Sequence, residues 1–179
     1  MTRSPRVRRV TAGEARQLAH LSELEGHLAE CDRAIAQQAR DDPRAVRVAR
    51  LSGVGALTAS AVVATVVDPN QFRCGRQFAA WLGLTPRQYS TGGKTRLGRI
   101  TRRGDTYLRG LLVQGARSAL QAAMRAAPER RTRLAAWMVA TQQRIGYHKT
   151  LVAIANKNAR LIWVLFTRDE PLRAHAAMN

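Results

Sequence analysis

A chain of 179 residues, 45% of them hydrophobic, is long and apolar enough for one ordinary domain with an appendage, which excludes a disordered tail. Its formal net charge of +18 comes from 27 Arg and 3 Lys against 12 acidic residues, more than solubility requires, and the expected partner is a polyanion. Between Pro43 and Pro128 fourteen basic residues face only Asp68 and Asp105, so the charge belongs to the core and not to a tail. Two cysteines, Cys31 and Cys74, are too few and too far apart for a metal cluster and read as a reduced pair. The basic start MTRSPRVRRV lacks a following apolar region of signal-peptide length, and no run approaches ~18 apolar residues, so a soluble cytoplasmic protein with no membrane partner is expected.

In chain order, Thr11-Ala-Gly-Glu14 has capping-box spacing and opens a helix expected to run to about Arg40. Leu18, Leu21, Leu24, Leu28, Cys31 and Ile35 form its apolar stripe, which from Leu21 alternates by three and four. That spacing suits either pairing with another helix or packing on the chain's own domain. Asp41-Asp42-Pro43 breaks the helix and divides a basic N-terminal arm with its pairing helix (1–42) from the main domain (43–168); a tail (169–179) follows.

A short helix from about Arg44 to Leu51 leads into Leu51-Ser-Gly-Val-Gly-Ala-Leu-Thr-Ala59 and a second helix to Val67. This is helix-hairpin-helix spelling: Gly53 and Gly55 permit the tight turn, Val54 points inward, and amides opening the second helix are placed to hold a DNA phosphate. A Gly-rich corner of an all-helical protein is the alternative. Phe72, Phe78, Trp81, Leu82 and Leu84 form the next apolar group, expected as core, with Arg73 and Arg76 beside it as phosphate contacts.

The densest chemistry lies in LGLTPRQYSTGGKTRLGRITRRGDTYLR, from Leu82 to Arg109. Gly92 and Gly93 free the backbone for a tight bend, Ser90 and Thr91 put hydroxyls beside it, and Arg87, Lys94, Arg96, Arg99, Arg102 and Arg103 surround it with donors for phosphate oxygens. A solvated basic loop would look similar. Thr101 is a plausible N-cap for a long helix to about Ala126, which would set Arg102 and Arg103 in its first turn, where the dipole disfavours them unless an anion is bound. Two further helices, from about Arg130 to Ile145 and from about Lys149 to Phe166, close an all-α helical bundle.

Three blocks in order, LSGVGALTASAVVATVVDP, then GRQFAAWLGLTPRQYSTGGKTRLGRITRRGDTYLRGLLVQGARSAL, then AIANKNARLIWVLF, resemble the C-terminal domain of bacterial insertion-sequence transposases related to the Piv DNA invertase. The resemblance covers about Arg44 to Arg168. It implies a recombinase that pairs this domain with an N-terminal RuvC-like nuclease domain carrying an Asp/Glu quartet, and that uses a structured guide RNA in many members. It also implies a nucleophilic serine in the S-[ST]-G-G-K motif, here Ser90, with Thr91 the less favoured neighbour. Independently of the resemblance, a hydroxyl attacking phosphorus builds charge that nearby cations stabilise, for which Arg87, Lys94, Arg96 and Arg99 are the candidates. About forty residues stand where the nuclease domain would be, without its quartet, so a truncated form is expected. No cofactor is expected in this chain; Mg would come only with the nuclease domain. DNA, a guide RNA, a second copy and a RuvC-like nuclease are the candidate partners, and the cytoplasmic nucleoid is the expected location. The alternative is a non-catalytic helix-hairpin-helix module for DNA or RNA, and a protein of a ribonucleoprotein particle is a third reading. Tyr89 competes with Ser90 as nucleophile by position.

Overall fold

The structure is a computed structural model that describes residues 11–89, 93–94 and 96–168. Seven α-helices account for most of these: α1 (Ala12–Asp41), α2 (Pro43–Ala49), α3 (Ala56–Thr65), α4 (Gly75–Trp81), α5 (Thr106–Arg125), α6 (Arg133–Ile145) and α7 (Tyr147–Thr167). Short 3-10 turns at Pro69–Gln71 and Pro128–Arg130 join α3 to α4 and α5 to α6. The class is all-α, as the periodicity predicts. Between α4 and α5 the chain makes one small antiparallel ribbon, β1 (Pro86–Gln88) with β2 (Leu97–Ile100), that periodicity did not reveal.

The N-terminal capping box forms as spelled: the Thr11 hydroxyl accepts from the Glu14 amide at 3.3 Å, and the Glu14 carboxylate accepts from the Thr11 amide at 2.7 Å. From residue 11 to 34 all of α1 but half-buried Glu14 is exposed, and only its last turns pack on α2 and α3 through Ala39 and half-buried Ile35. At 1.5 Å per residue the free part is an arm about 35 Å long. Leu18, Leu21, Leu24 and Leu28 are between 43% and 64% exposed, so this domain does not cover the stripe. Asp42 then caps α2, accepting from the Arg44 amide at 2.7 Å. The Arg44 side chain beside that carboxyl holds it below the usual carboxylate range.

The core gathers on α7, whose Leu151, Ile154, Ala155, Ala159, Ile162 and Leu165 are buried against α4, α5 and α6. On α5, Leu108, Leu112, Ala116 and Leu120 recur at helical spacing and are buried. Phe72 and Phe78 are core, but Trp81 is 37% exposed and lies at the edge of their aromatic cluster.

Two glycines let the α2–α3 turn reach α5. Gly53 has φ +82°, and a Cβ there would run into the Gly115 carbonyl; a Cβ on Gly115 would run into the Gly53 carbonyl in return. Gly55 is different: its φ is −94°, nothing lies within 4 Å of a Cβ there, and it serves as the N-cap of α3. The turn therefore requires Gly53 and tolerates a side chain at position 55, which corrects the expectation that it needs both. Gly53→Ala combines left-handed strain of about 1–2 kcal/mol with overpacking of about 1–3 kcal/mol, so a loss of about 2–5 kcal/mol is expected in urea denaturation. Gly55→Ala should cost under about 1 kcal/mol. Gly110→Ala, in the middle of α5 with open space around it, should add about 0.5–1 kcal/mol. Equal stability of Gly53→Ala and the parent would contradict the packing described.

Candidate nucleic-acid interface

The ribbon pairs Pro86 with Ile100 and Gln88 with Leu97, with a register irregularity between them. Beyond the strands it is extended by the Tyr89 amide donating to the Arg96 carbonyl at 2.8 Å, and at its base by the Thr101 amide donating to Thr85 at 2.9 Å. A two-stranded ribbon is marginal in water without support. Here its base is fastened to the end of α4. Gly83 (φ +70°) abuts the Arg103 backbone and Gly104 (φ +104°) abuts the Trp81 carbonyl, both too closely for a Cβ. The Arg102 amide donates to the Gly83 carbonyl at 3.2 Å, and the Arg109 guanidinium donates to the Leu82 carbonyl at 3.0 Å. Arg109 is thus a bolt in this joint.

Pairing of the two strands brings together side chains that lie far apart in sequence. Arg87, Arg99 and Arg102 come together with Tyr89 and Ile100 around an open depression of about 310 Å³. Arg102 holds a positive φ of 55°, uncommon for a non-glycine residue, which the close approach of Gly83 to Arg103 accompanies. The Tyr89 ring, 57% exposed, covers Gly98, where a Cβ would lie 2.8 Å from Cε2. Among the described residues no carboxylate lines this depression. Arg87 spends one weak bond on the Thr101 carbonyl at 3.5 Å and stays exposed. The site thus presents guanidinium forks beside an exposed ring, which is chemistry suited to phosphates flanked by sugars or bases.

One expectation about this region fails. Asp105 caps α5, accepting from the Leu108 amide at 2.8 Å, and the helix begins at Thr106. Thr101 is the residue after the ribbon and caps nothing. Arg102 and Arg103 are consequently in the loop before α5, not in its first turn, and the dipole argument for an anion there lapses. A carboxylate three residues before Leu108 outcompetes a threonine seven residues before it, because the N-cap acceptor must reach the N2 or N3 amide.

Lys94 and Gly93 (φ +76°) are exposed in the turn between the strands, Arg96 is exposed beside it, and Arg103 is exposed at the base of the ribbon. Ser90, Thr91 and Gly92 lie outside the described residues. Gly53 and Gly55 sit in the α2–α3 turn, held from below by the buried Asn158 side chain, which donates to the Ser52 carbonyl at 2.9 Å. No side-chain hydrogen bond caps the start of α3. Neither of the arginines before and within α4 joins the ribbon: Arg73 is exposed after the 3-10 turn, and Arg76 lines a separate cleft with Lys157 and Arg160 of α7. Lys157 and Arg160 were visible in the sequence only as part of a polar patch; nothing local tied them to Arg76. Among the described residues no three His, Cys, Asp or Glu side chains gather as a metal site, and no helix is long and apolar enough to cross a membrane.

Known proteins match this chain. The family described as "Transposase IS116/IS110/IS902 family" matches residues 45–141, from α2 through the ribbon into α6. A "Probable family 20 transposase" of Pseudomonas aeruginosa is 47% identical over 149 residues, covering 83% of this chain and 43% of the relative. The "Transposase for insertion sequence element IS1111A" of Coxiella burnetii is 39% identical over 173 residues, covering 97% of this chain and 46% of the relative. A "Putative transposase y4pF/y4sB" of Sinorhizobium fredii is 45% identical over 134 residues, 75% of this chain and 34% of the relative. The chain thus spans between a third and a half of the length of these curated relatives, and by the family match that covers most of its folded domain it belongs to the IS116/IS110/IS902 transposase family.

Proposed function

We propose that this chain is the DNA-binding and strand-joining part of an insertion-sequence transposase, acting through the arginine-lined ribbon and Ser90. The observation that carries the reading is the convergence of Arg87, Arg99 and Arg102 on one depression beside Tyr89, without a carboxylate among the lining residues. Ser90 follows Tyr89 directly in sequence. In the joining step the Ser90 hydroxyl gives up its proton and its oxygen bonds to a backbone phosphorus. The bond from that phosphorus to the departing strand breaks, and the departing oxygen takes a proton. Negative charge on the phosphoryl oxygens peaks at the pentavalent state, where fixed guanidinium groups stabilise it more than in the ground state. Arg96 and Arg99 fill that role. Among the described residues the depression offers no carboxylate as base, and Asp105 is engaged with an α5 amide, so in this reading the proton acceptor comes from outside this cluster. The described residues do not fit a Mg site, and no step is drawn through one.

The α2–turn–α3 pair acts as a helix-hairpin-helix element whose uncapped first amides hold a phosphate without reading bases. That element on its own supports the second reading, a non-catalytic module for branched DNA or for a guide RNA. The exposed stripe of α1 pairs with a second copy or with a RuvC-like nuclease partner. Such an activity belongs in the cytoplasm, on the nucleoid.

Fluorescence anisotropy with duplex DNA at several salt concentrations tests the binding half. A linear fall of log K with log salt is expected, and the double variant Arg87→Gln with Arg99→Gln should reduce the slope by about 2. A flat response would remove the phosphate interface. For the joining half, recombinase reconstituted with a family nuclease domain and guide RNA should form a covalent link to DNA that mass spectrometry maps to Ser90. Ser90→Ala should abolish the link, and Tyr89→Phe should leave it. A link lost with Tyr89→Phe and kept with Ser90→Ala would make the tyrosine the nucleophile, whereas no link under any condition would leave the binding module.

The arm makes its own prediction. Sedimentation should show association at micromolar concentration that Leu21→Asp with Leu28→Asp removes. A parent protein that stays monomeric alone and with a nuclease partner would contradict a pairing role for α1.

A further inference from the structure

A second cationic cleft lies between α4 and α7, with a volume of about 340 Å³ and no lining residue in common with the ribbon depression. Three cations enter it: Arg76 from α4, and Lys157 and Arg160 from one face of α7. They are brought together because Gly75 is buried directly on α7, where a Cβ would lie 2.9 Å from the Arg160 carbonyl oxygen and 3.0 Å from its Cα. Any side chain at position 75 would push the helices apart and separate Arg76 from Arg160. The floor is apolar, formed by Leu161 and by Trp163, whose indole N–H is held by the Pro69 carbonyl at 3.1 Å. Lys157 stands over the Trp137 ring of α6 at 5.2 Å from its centroid, which holds its ammonium on this side of α7.

Among the described residues no carboxylate lines the cleft, so three like charges are gathered there. Partial burial and, next, Arg160 push the Lys157 amine below its usual range, so the free protein bears a cost in keeping it charged. An anion in the cleft would relieve both. Its cationic rim over an apolar floor matches a phosphodiester with an adjoining sugar better than a small hydrated anion.

We propose that the cleft between α4 and α7 is a second phosphodiester site, in which Arg76, Lys157 and Arg160 hold the backbone of a nucleic-acid strand separate from the segment on the ribbon. The inference rests on the reading that this domain binds nucleic acid. It goes beyond that reading by giving the domain two strands to hold at once, as an exchange of strands requires.

Cys74 supplies a reporter, since it is exposed on the wall of the cleft. The Gln77 and Arg76 amides, with the charges of Arg76 and Arg160, hold its thiol below the usual range, which enlarges the reactive thiolate fraction near neutral pH. The experiment measures modification of Cys74 by a neutral maleimide, mapped by peptide mass spectrometry, with and without saturating oligonucleotide. Parallel anisotropy reports total binding. Duplex DNA, single-stranded DNA and RNA of one sequence are separate arms, and the arm with the greatest protection identifies the strand. We expect at least tenfold slowing in the parent and in Arg87→Gln/Arg99→Gln at saturation. Lys157→Gln/Arg160→Gln should show less than twofold slowing at saturation, and Arg160→Lys should restore protection. If anisotropy shows binding while all three nucleic acids leave Cys74 modification unchanged, the cleft is not a strand site although the ribbon reading stands. If none of the three binds even at low salt, both fall.

Discussion

Two side-chain amides of α7 hold the proposed binding elements in place. Asn158 donates to the Ser52 carbonyl in the α2–α3 turn at 2.9 Å, and Asn156 donates to the Leu84 carbonyl at the base of the ribbon at 3.3 Å. Both acceptors are backbone oxygens that a loop must satisfy when it is turned toward a core. Asn158 is only 2% exposed, so removing its amide would leave the Ser52 carbonyl without that partner in a dry setting, at a cost of about 1–3 kcal/mol. One helix thus sets the distance between an uncapped helix start and an arginine-bearing ribbon, and its next outward residues, Lys157 and Arg160, furnish the cleft. The core of the domain and its charged surface are two sides of the same helix.

Glycines complete the arrangement by allowing backbones to meet. Gly53 against Gly115 seats the turn on α5; Gly83 and Gly104 seat the ribbon on α4; Gly75 seats α4 on α7. At each joint a methyl group would have to displace backbone, not a flexible side-chain end. Positions for cations are therefore built by rigid contacts behind them, while the arginines themselves are exposed on strands and helix faces and Lys157 is half-buried. Guanidinium groups placed in this way lose less freedom on meeting a phosphate than the same groups on a mobile loop.

Helices were legible because their signals are local. The capping box at Thr11, the break at Asp41-Asp42-Pro43 and the buried spacing of α5 and α7 need only neighbours in sequence to be read. The ribbon was hidden because Pro86–Gln88 and Leu97–Ile100 are short, mostly exposed strands with no apolar alternation, and what stabilises them lies at their base in Gly83, Gly104 and Arg109. Thr101 resembles a cap for the same reason: only the strand ending at Ile100 shows that the helix starts later, where the Asp105 carboxylate accepts from the Leu108 amide. Of the candidate site, the residue types and the concentration of charge were visible, and so was the need for Gly53. Which arginines share a surface was not. Arg76 is eleven residues from Arg87 and meets instead Lys157 and Arg160, some eighty residues away, because Gly75 touches α7.

The central claim is that a rigidly seated ribbon, not the charge of the chain as a whole, receives the nucleic acid. Hydrogen exchange read by mass spectrometry on the free and DNA-bound protein tests it most directly. The account predicts that DNA slows exchange at the Tyr89 and Leu97–Ile100 amides and at the first turn of α3, with α6 unchanged. Uniform slowing over every exposed basic segment, or slowing confined to α1, would contradict it.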